Sequence, residues 1–197
     1  MNPDQRANLD AAVLSVGESL AVAWSYFHVL RGLDNGRLQN PNVVLQHGLF
    51  YDRLWRVAFD AFFAKVGIVL DSKRRYYSLP NLLTLARKYG TPELRRFLLK
   101  IQNEIDDENS LLAKLKRWRN EIVAHKPAIQ VDSDFHAKNR MTLSEIEAAL
   151  GMLDNYLNQI SFNFLSIHSE QRSAFEAVVQ QAESMFAACA RGNSEQR

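Results

Sequence analysis

The sequence holds a single cysteine, Cys189, so no disulfide forms within the chain, and zinc motifs built on two to four thiolates are excluded with it. Glycine and proline are scarce, 8 and 5 in 197 residues, which is too little punctuation for the many tight turns of a β-sandwich or barrel. No charge of one sign dominates. Against 24 Lys and Arg stand 22 Asp and Glu, a net +2, so no global field draws the chain to nucleic acid or an anionic membrane, and any basic site must be local. The uncharged stretch 19–30 falls short of the roughly 18–20 residues a spanning helix needs, and the opening MNPDQRANLD lacks a basic n-region followed by an apolar one. Neither a membrane span nor a secretion signal is expected, and the cytoplasm is the expected compartment.

What is present is ordinary globular material: 47% hydrophobic, 10% aromatic and 23% charged residues, enough to bury a sizeable core. The length fits one domain of roughly 100–200 residues. A single domain over 1–197 is expected, with its core at about 9–168, a C-terminal helix over 169–190 and a disordered tail over 191–197.

Apolar residues recur at helical spacing along most of the chain. Val13, Val16, Leu20, Ala23, Trp24, Phe27 and Leu30 predict a helix over 9–33, and GLDNGRLQNPN reads as a breaker-rich loop after it. Leu45, Leu49, Phe50, Leu54, Ala58, Phe59, Phe62 and Val66, widened by Val57 and Phe63, predict a second helix over 43–66 that pairs antiparallel with the first. Trp24, Trp55 and the Phe59, Phe62, Phe63 group read as core rather than base-stacking platforms. Ser78 and Thr91 are candidate N-caps, each followed within two residues by a proline that a first turn accepts, and Gly90 ends the helix between them. Leu94, Phe97, Leu98, Ile101 and Ile105 form the next apolar stripe, and the polar run 106–110 either continues or breaks it. A helix over 111–125 should stop before Pro127. Thr142 to Glu145 spells a capping box, with Met141 and Ile146 as its hydrophobic staple, ahead of a seam of Ile146, Leu150, Leu153, Leu157, Ile160, Phe164 and Ile167 that suits packing within one chain or across a dimer. No alternating strand pattern competes. The expected fold is all-α, an up-and-down helical bundle with a long C-terminal helical extension.

Several chemistries lose their support. None of the five histidines follows a glutamate by three positions, as di-metal bundles require, and their spacing suits no paired metal ligands, so no metal site and no cofactor are expected. There is no phosphate loop, dinucleotide fingerprint or nucleophile elbow.

One stretch stands out, Lys114 to Lys126. On an ideal helix of about 100° per residue, Leu111, Leu112, Leu115, Trp118, Ile122 and Val123 define a broad apolar arc, and Arg119 projects from inside it, between Leu112 and Leu115 in angle. A guanidinium aimed at a core is costly unless it is paired or lines a wet cleft. One explanation is structural: an ion pair with a core carboxylate such as Asp60, and His125 as a C-terminal helix cap. The other is chemical. A titratable histidine in the last helical turn can move protons while an arginine steadies the charge of a phosphorane, a minimal metal-free site for cleaving RNA. In that reading Arg119 and His125 are catalytic, Asn120 orients the phosphate or the arginine, and Lys114, Lys116, Arg117 and Lys126 hold the RNA backbone. One chain supplies one histidine, so a two-fold dimer placing two clefts face to face would provide both proton-transfer roles.

The stretch Arg119-Asn120-Glu121-Ile122-Val123-Ala124-His125 resembles the arginine, polar residue and histidine signature of the HEPN superfamily of helical domains. The Val-Ala-His ending, Val69-Leu70-Asp71 followed by Ser78-Leu79 and Leu82-Leu83, and the capped helix after the signature are similar to its abortive-infection U-type branch, over about 21–165. The resemblance implies a dimerising bundle that acts as a metal-independent endoribonuclease, in phage defence or as the toxin of a toxin–antitoxin pair with a neutralising antitoxin protein. It also implies Arg119 and His125 as the active pair and Asn120 as the polar neighbour. Where many toxin members carry a tyrosine two positions after the histidine, this chain has Pro127, which offers no target for nucleotide transfer. A HEPN-like module that binds a partner or nucleotide through the same groove without catalysis is the alternative.

Overall fold

The computed structural model describes residues 1–73, 77–124, 140–165 and 184. Among the described residues there are six helices and no strand: α1 (Pro3–Gln39), α2 (Pro41–Leu70), α3 (Leu79–Tyr89), α4 (Pro92–Asp106), α5 (Leu111–Ala124) and α6 (Leu143–Leu165). The all-α bundle expected from the periodicity is the observed architecture. The expected C-terminal helix apart from residue 184, the tail, residues 125–139 after α5 and the seam's last member Ile167 lie outside the described residues.

Local chemistry sets most of the boundaries. Asn2 and Gln5 form a reciprocal capping box, the Asn2 side chain accepting from the Gln5 amide at 2.8 Å, which starts α1 at Pro3, six residues before the start expected at residue 9. Ser78 Oγ accepts from the Asn81 amide and Thr91 Oγ1 from the Leu94 amide, so both expected caps are in place. Asp107 ends α4 and its side chain accepts from the Asn109 amide at 3.0 Å, while Ser110 caps α5 through the Ala113 amide at 3.0 Å. The 106–110 run is therefore a break. Thr142 and Glu145 exchange side-chain and backbone bonds, the Thr142 amide donating to Glu145 at 2.7 Å, with Met141 and Ile146 packed into the core beside them.

Two expectations fail in the first hairpin. The GLDNGRLQNPN segment is helical through Gln39, and the break is confined to Asn40. Gly32 and Gly36, four residues apart, are buried rather than turning the chain, and Arg37 pairs with Asp34 at 2.7 Å within the helix. The second failure is Leu45, Leu49, Phe50 and Val57, expected in the core and found exposed (Leu45 at 83%). α2 kinks at His47, whose φ of −122° and ψ of 27° leave helical geometry, and the turns around it extend past the main core. A small satellite cluster of Leu33 and Tyr51 is the packing that holds this end.

The core proper joins all six helices. Leu20, Trp24 and Phe27 of α1, Phe62 and Phe63 of α2, Leu83 of α3, Leu98 of α4, Leu115 of α5 and Leu150, Leu153 and Ile160 of α6 are at most 1% exposed. The seam of α6 packs inside the chain. By length and composition α1 is apolar enough to cross a membrane, but its buried residues face this core, chiefly through α2 and α6. Burying side chains of this size stabilises by about 1.5–3 kcal/mol each. The C-terminal half of α2 and the length of α5 lie together against this core, and that contact positions the site.

Candidate functional site

α5 is held to α2 by aromatic rings. Trp118 lies edge-on to Phe59 and stacks on Phe63, both at 6.2 Å between centroids, while Phe59 meets Phe63 at 4.7 Å. Leu112 and Leu115 are buried on the same side of α5. With those three residues directed inward, the rotation of α5 is fixed, and the next side chain, Arg119, is laid across α2 one turn beyond Phe63. Trp55 and Phe59, expected as core, are half-buried and line a cavity of about 260 Å³ together with Phe63, Trp118 and Asp34. Trp24, Phe62 and Phe63 are core as expected.

Arg119 occupies the buried arc that the helical wheel assigns it, and its side chain remains 32% exposed. Its aliphatic part and Nε lie on Gly67 of α2. Its terminal nitrogens reach outward: one donates to Asn120 Oδ1 at 3.0 Å, and the other is 3.8 Å from Asp71 Oδ2. The carboxylate beside Arg119 is thus Asp71, at the C-terminus of α2, and not Asp60. At 3.8 Å the pair attracts by charge without a direct hydrogen bond. Asp71 is fixed from its other oxygen, Oδ1, which accepts from the Lys73 amide at 2.9 Å.

Nε of Arg119 is buried and has no hydrogen-bond partner. A guanidinium has five N–H donors in a planar fork, and one here is used by Asn120. Among the described residues the fork therefore keeps donors free where it faces a cleft of about 40 Å³ lined by Val66, Gly67, Leu70, Asp71, Ser72, Lys116 and Arg119. A water needs about 10–15 Å³ of such space, so the cleft takes a few oxygen-sized atoms, the scale of a phosphate's oxygens. Two cations against one carboxylate leave it net positive. Such a place can bind an oxyanion and stabilise charge developing on it.

Of the expected site residues, Arg119 and Asn120 are brought together and Lys116 lines the same cleft. Lys114 turns to α6, its Nζ 3.7 Å from Glu145 Oε1, and Arg117 donates to the Glu108 carbonyl at 2.9 Å. His125 and Lys126 lie outside the described residues, as do His136 and His168. Among the described residues no cluster of His, Cys, Asp or Glu could hold a metal ion. Sequence reasoning did not assign Gly67 or Asp71 to the site. The glycine had a signal of its own, as an isolated Gly inside a helical pattern, whereas Asp71 was visible only as part of a resemblance.

No curated protein and no solved structure matches the chain. The model of one family, the AbiU2 type of HEPN domain, matches residues 6–182, which takes in every described helix but the first three residues of α1, together with the arginine–histidine stretch. With nine-tenths of its length inside that match, an all-α fold of the expected kind and the Arg119 signature on a helix facing the bundle, the chain belongs to the AbiU2 family of HEPN proteins, an abortive-infection family.

Proposed function

We propose that the protein is a metal-independent endoribonuclease that cleaves single-stranded RNA, acting in phage defence or as the toxin of a toxin–antitoxin pair. The observation that carries the reading is the Arg119 fork: a cation on a buried helical face, set over a phosphate-sized cleft with donors unspent. In the reaction, the 2′-hydroxyl attacks the adjacent phosphorus while the His125 ring takes its proton. The bond from phosphorus to the 5′-oxygen breaks, a second His125 ring gives that oxygen a proton, and Arg119 stabilises the phosphorane between the two steps. The products are a 2′,3′-cyclic phosphate and a 5′-hydroxyl. Asn120 holds the fork of Arg119, and Lys116 binds the backbone in the cleft. Lys114, Arg117 and Lys126 complete the basic surface.

The second histidine comes from a second copy, so the active form is a homodimer in the cytoplasm, with RNA as substrate and an antitoxin protein as a possible neutralising partner. The reaction needs the two His125 rings to meet, whereas the exposed apolar residues Leu45, Leu49 and Phe50 lie at the opposite end of α2 from Gly67.

The test is cleavage of single-stranded RNA by purified protein in EDTA. Cleavage with cyclic phosphate ends is expected, lost by about 100-fold or more in Arg119→Ala and His125→Ala. Equal background in all three proteins removes the enzyme reading. The Arg119–Asp71 pair also suits a non-catalytic interaction module. That reading gains if expression harms cells equally with wild type and with His125→Ala.

A further inference from the structure

Gly67 stands in the interior of α2, one turn before Asp71, where a glycine costs helix stability relative to alanine. At Gly48 and Gly151 an added Cβ would meet nothing within 4 Å. At Gly67 it would lie 2.4 Å from Arg119 Nε, 3.0 Å from Cγ and 3.2 Å from Cδ. All three, the nearest atoms the Cβ would meet, belong to the side chain of one flexible residue. A methyl group here would therefore meet the arginine side chain first and drive it off the helix surface.

We propose that Gly67 is a positioning residue for Arg119: its missing side chain is the seat that lets the guanidinium lie flat on α2, with Asp71 drawing its free end along the helix and Lys116 beside it. The seat fixes the fork at the cleft without spending its outward donors. Displaced by a methyl, Arg119 retains its charge and its length but no longer presents them at the same point. The catalytic consequence rests on the nuclease reading above; the seat itself does not.

The experiment is a thermal and kinetic cycle on the full chain with Gly67→Ala, Arg119→Ala and the double variant, and Gly151→Ala as a control for helix propensity. Gly151→Ala is expected to raise Tm by about 2–4 °C with cleavage unchanged. In the Arg119→Ala background Gly67→Ala should give the same gain, because nothing is left to displace. In the wild-type background that gain should be cancelled or reversed. Cleavage by Gly67→Ala should fall about 10- to 100-fold, in kcat more than in KM, with the protein still folded, and the double variant should be no slower than Arg119→Ala alone. If the wild type proves inactive on RNA, the nuclease reading fails and the Tm cycle alone decides the seat. Folding of Gly67→Ala only when Arg119 is also removed supports the proposal. An identical Tm change in both backgrounds overturns it, as does failure to fold in both, and so does wild-type cleavage by Gly67→Ala.

Discussion

Replacing Asp71 by asparagine isolates the charge that faces Arg119. The amide keeps the size of the carboxyl group, and its oxygen can still accept from the Lys73 amide, as Oδ1 does at 2.9 Å, so the turn after α2 is preserved. What disappears is an attraction across 3.8 Å between a carboxylate whose side chain is 11% exposed and a guanidinium that is 32% exposed. Coulomb's law at an effective dielectric of about 20 puts the gross attraction near 4 kcal/mol. Desolvation of the carboxylate, screening at the exposed end of the arginine and the rotamer entropy of both side chains cancel most of that, leaving about 1 kcal/mol. For a chain of this size the loss lowers Tm by about 2–4 °C. The difference between wild type and Asp71→Asn should shrink as salt is raised from 0.05 to 1 M, since the screening length falls to about 3 Å at 1 M. Thermal unfolding followed by circular dichroism at several salt concentrations measures both effects. A variant as stable as wild type at low salt, or a difference that salt leaves unchanged, would refute the claim that Asp71 holds Arg119 by charge.

Other expectations follow from single contacts. Tyr156, 6% exposed, donates its hydroxyl to Glu104, and burial followed by that bond and the nearby carboxylate pushes its pKa well above the ordinary value. Tyr156→Phe should cost about 1 kcal/mol, because Glu104 is exposed enough to be rehydrated, and urea titration reads it. A raised tyrosine contributes stability that is complete below about pH 10 and lost above it, so the alkaline fall in wild-type stability should be shallower in Tyr156→Phe. Glu145 is held below the usual carboxylate range first by the Thr142 amide, then by the Thr142 hydroxyl and Lys114. Its contribution is present above about pH 4.3 and lost as pH falls through its lowered pKa, so Glu145→Gln should flatten the acid limb of a Tm-against-pH curve. Trp118→Ala removes the ring stacked on Phe63 and edge-on to Phe59, and should cost about 3 kcal/mol in denaturant unfolding.

What the sequence made legible was chemistry that acts over a few residues. Ser78, Thr91 and the Thr142 to Glu145 box each announced a helix start because a cap is a bond between a side chain and an amide two or three positions away, and all three bonds are made. Gly32 and Gly36 misled for the opposite reason. Read locally they break a helix; in the bundle they are buried, so packing decides their conformation and the breaker signal is overridden. Leu45 and Leu49 misled because periodicity reports which residues share a face and not whether anything covers it. That face is exposed on both sides of the kink at His47.

The site divides along the same line. Arg119 could be singled out because it disagrees with its own helix, a misfit visible on a wheel, and it does sit on the inward face with Leu112 and Leu115. Its surroundings were hidden because they come from α2, some fifty residues earlier in the chain, and the α2 positions that touch it look like helix filler. Gly67 carries no chemistry of its own, and its role exists only because Trp118, stacked on Phe63, sets the rotation of α5 so that the next side chain arrives where a Cβ would stand. Asp60 was the carboxylate of choice from sequence because it lies mid-helix among core residues. Asp71 prevails because the arginine is long and reaches the end of α2, where a carboxylate can be both anchored by the Lys73 amide and left partly in water. A cation anchored from one side and open on the other is what separates a site from a buried ion pair, and that distinction depends on where the partner sits, which spacing along one helix does not encode.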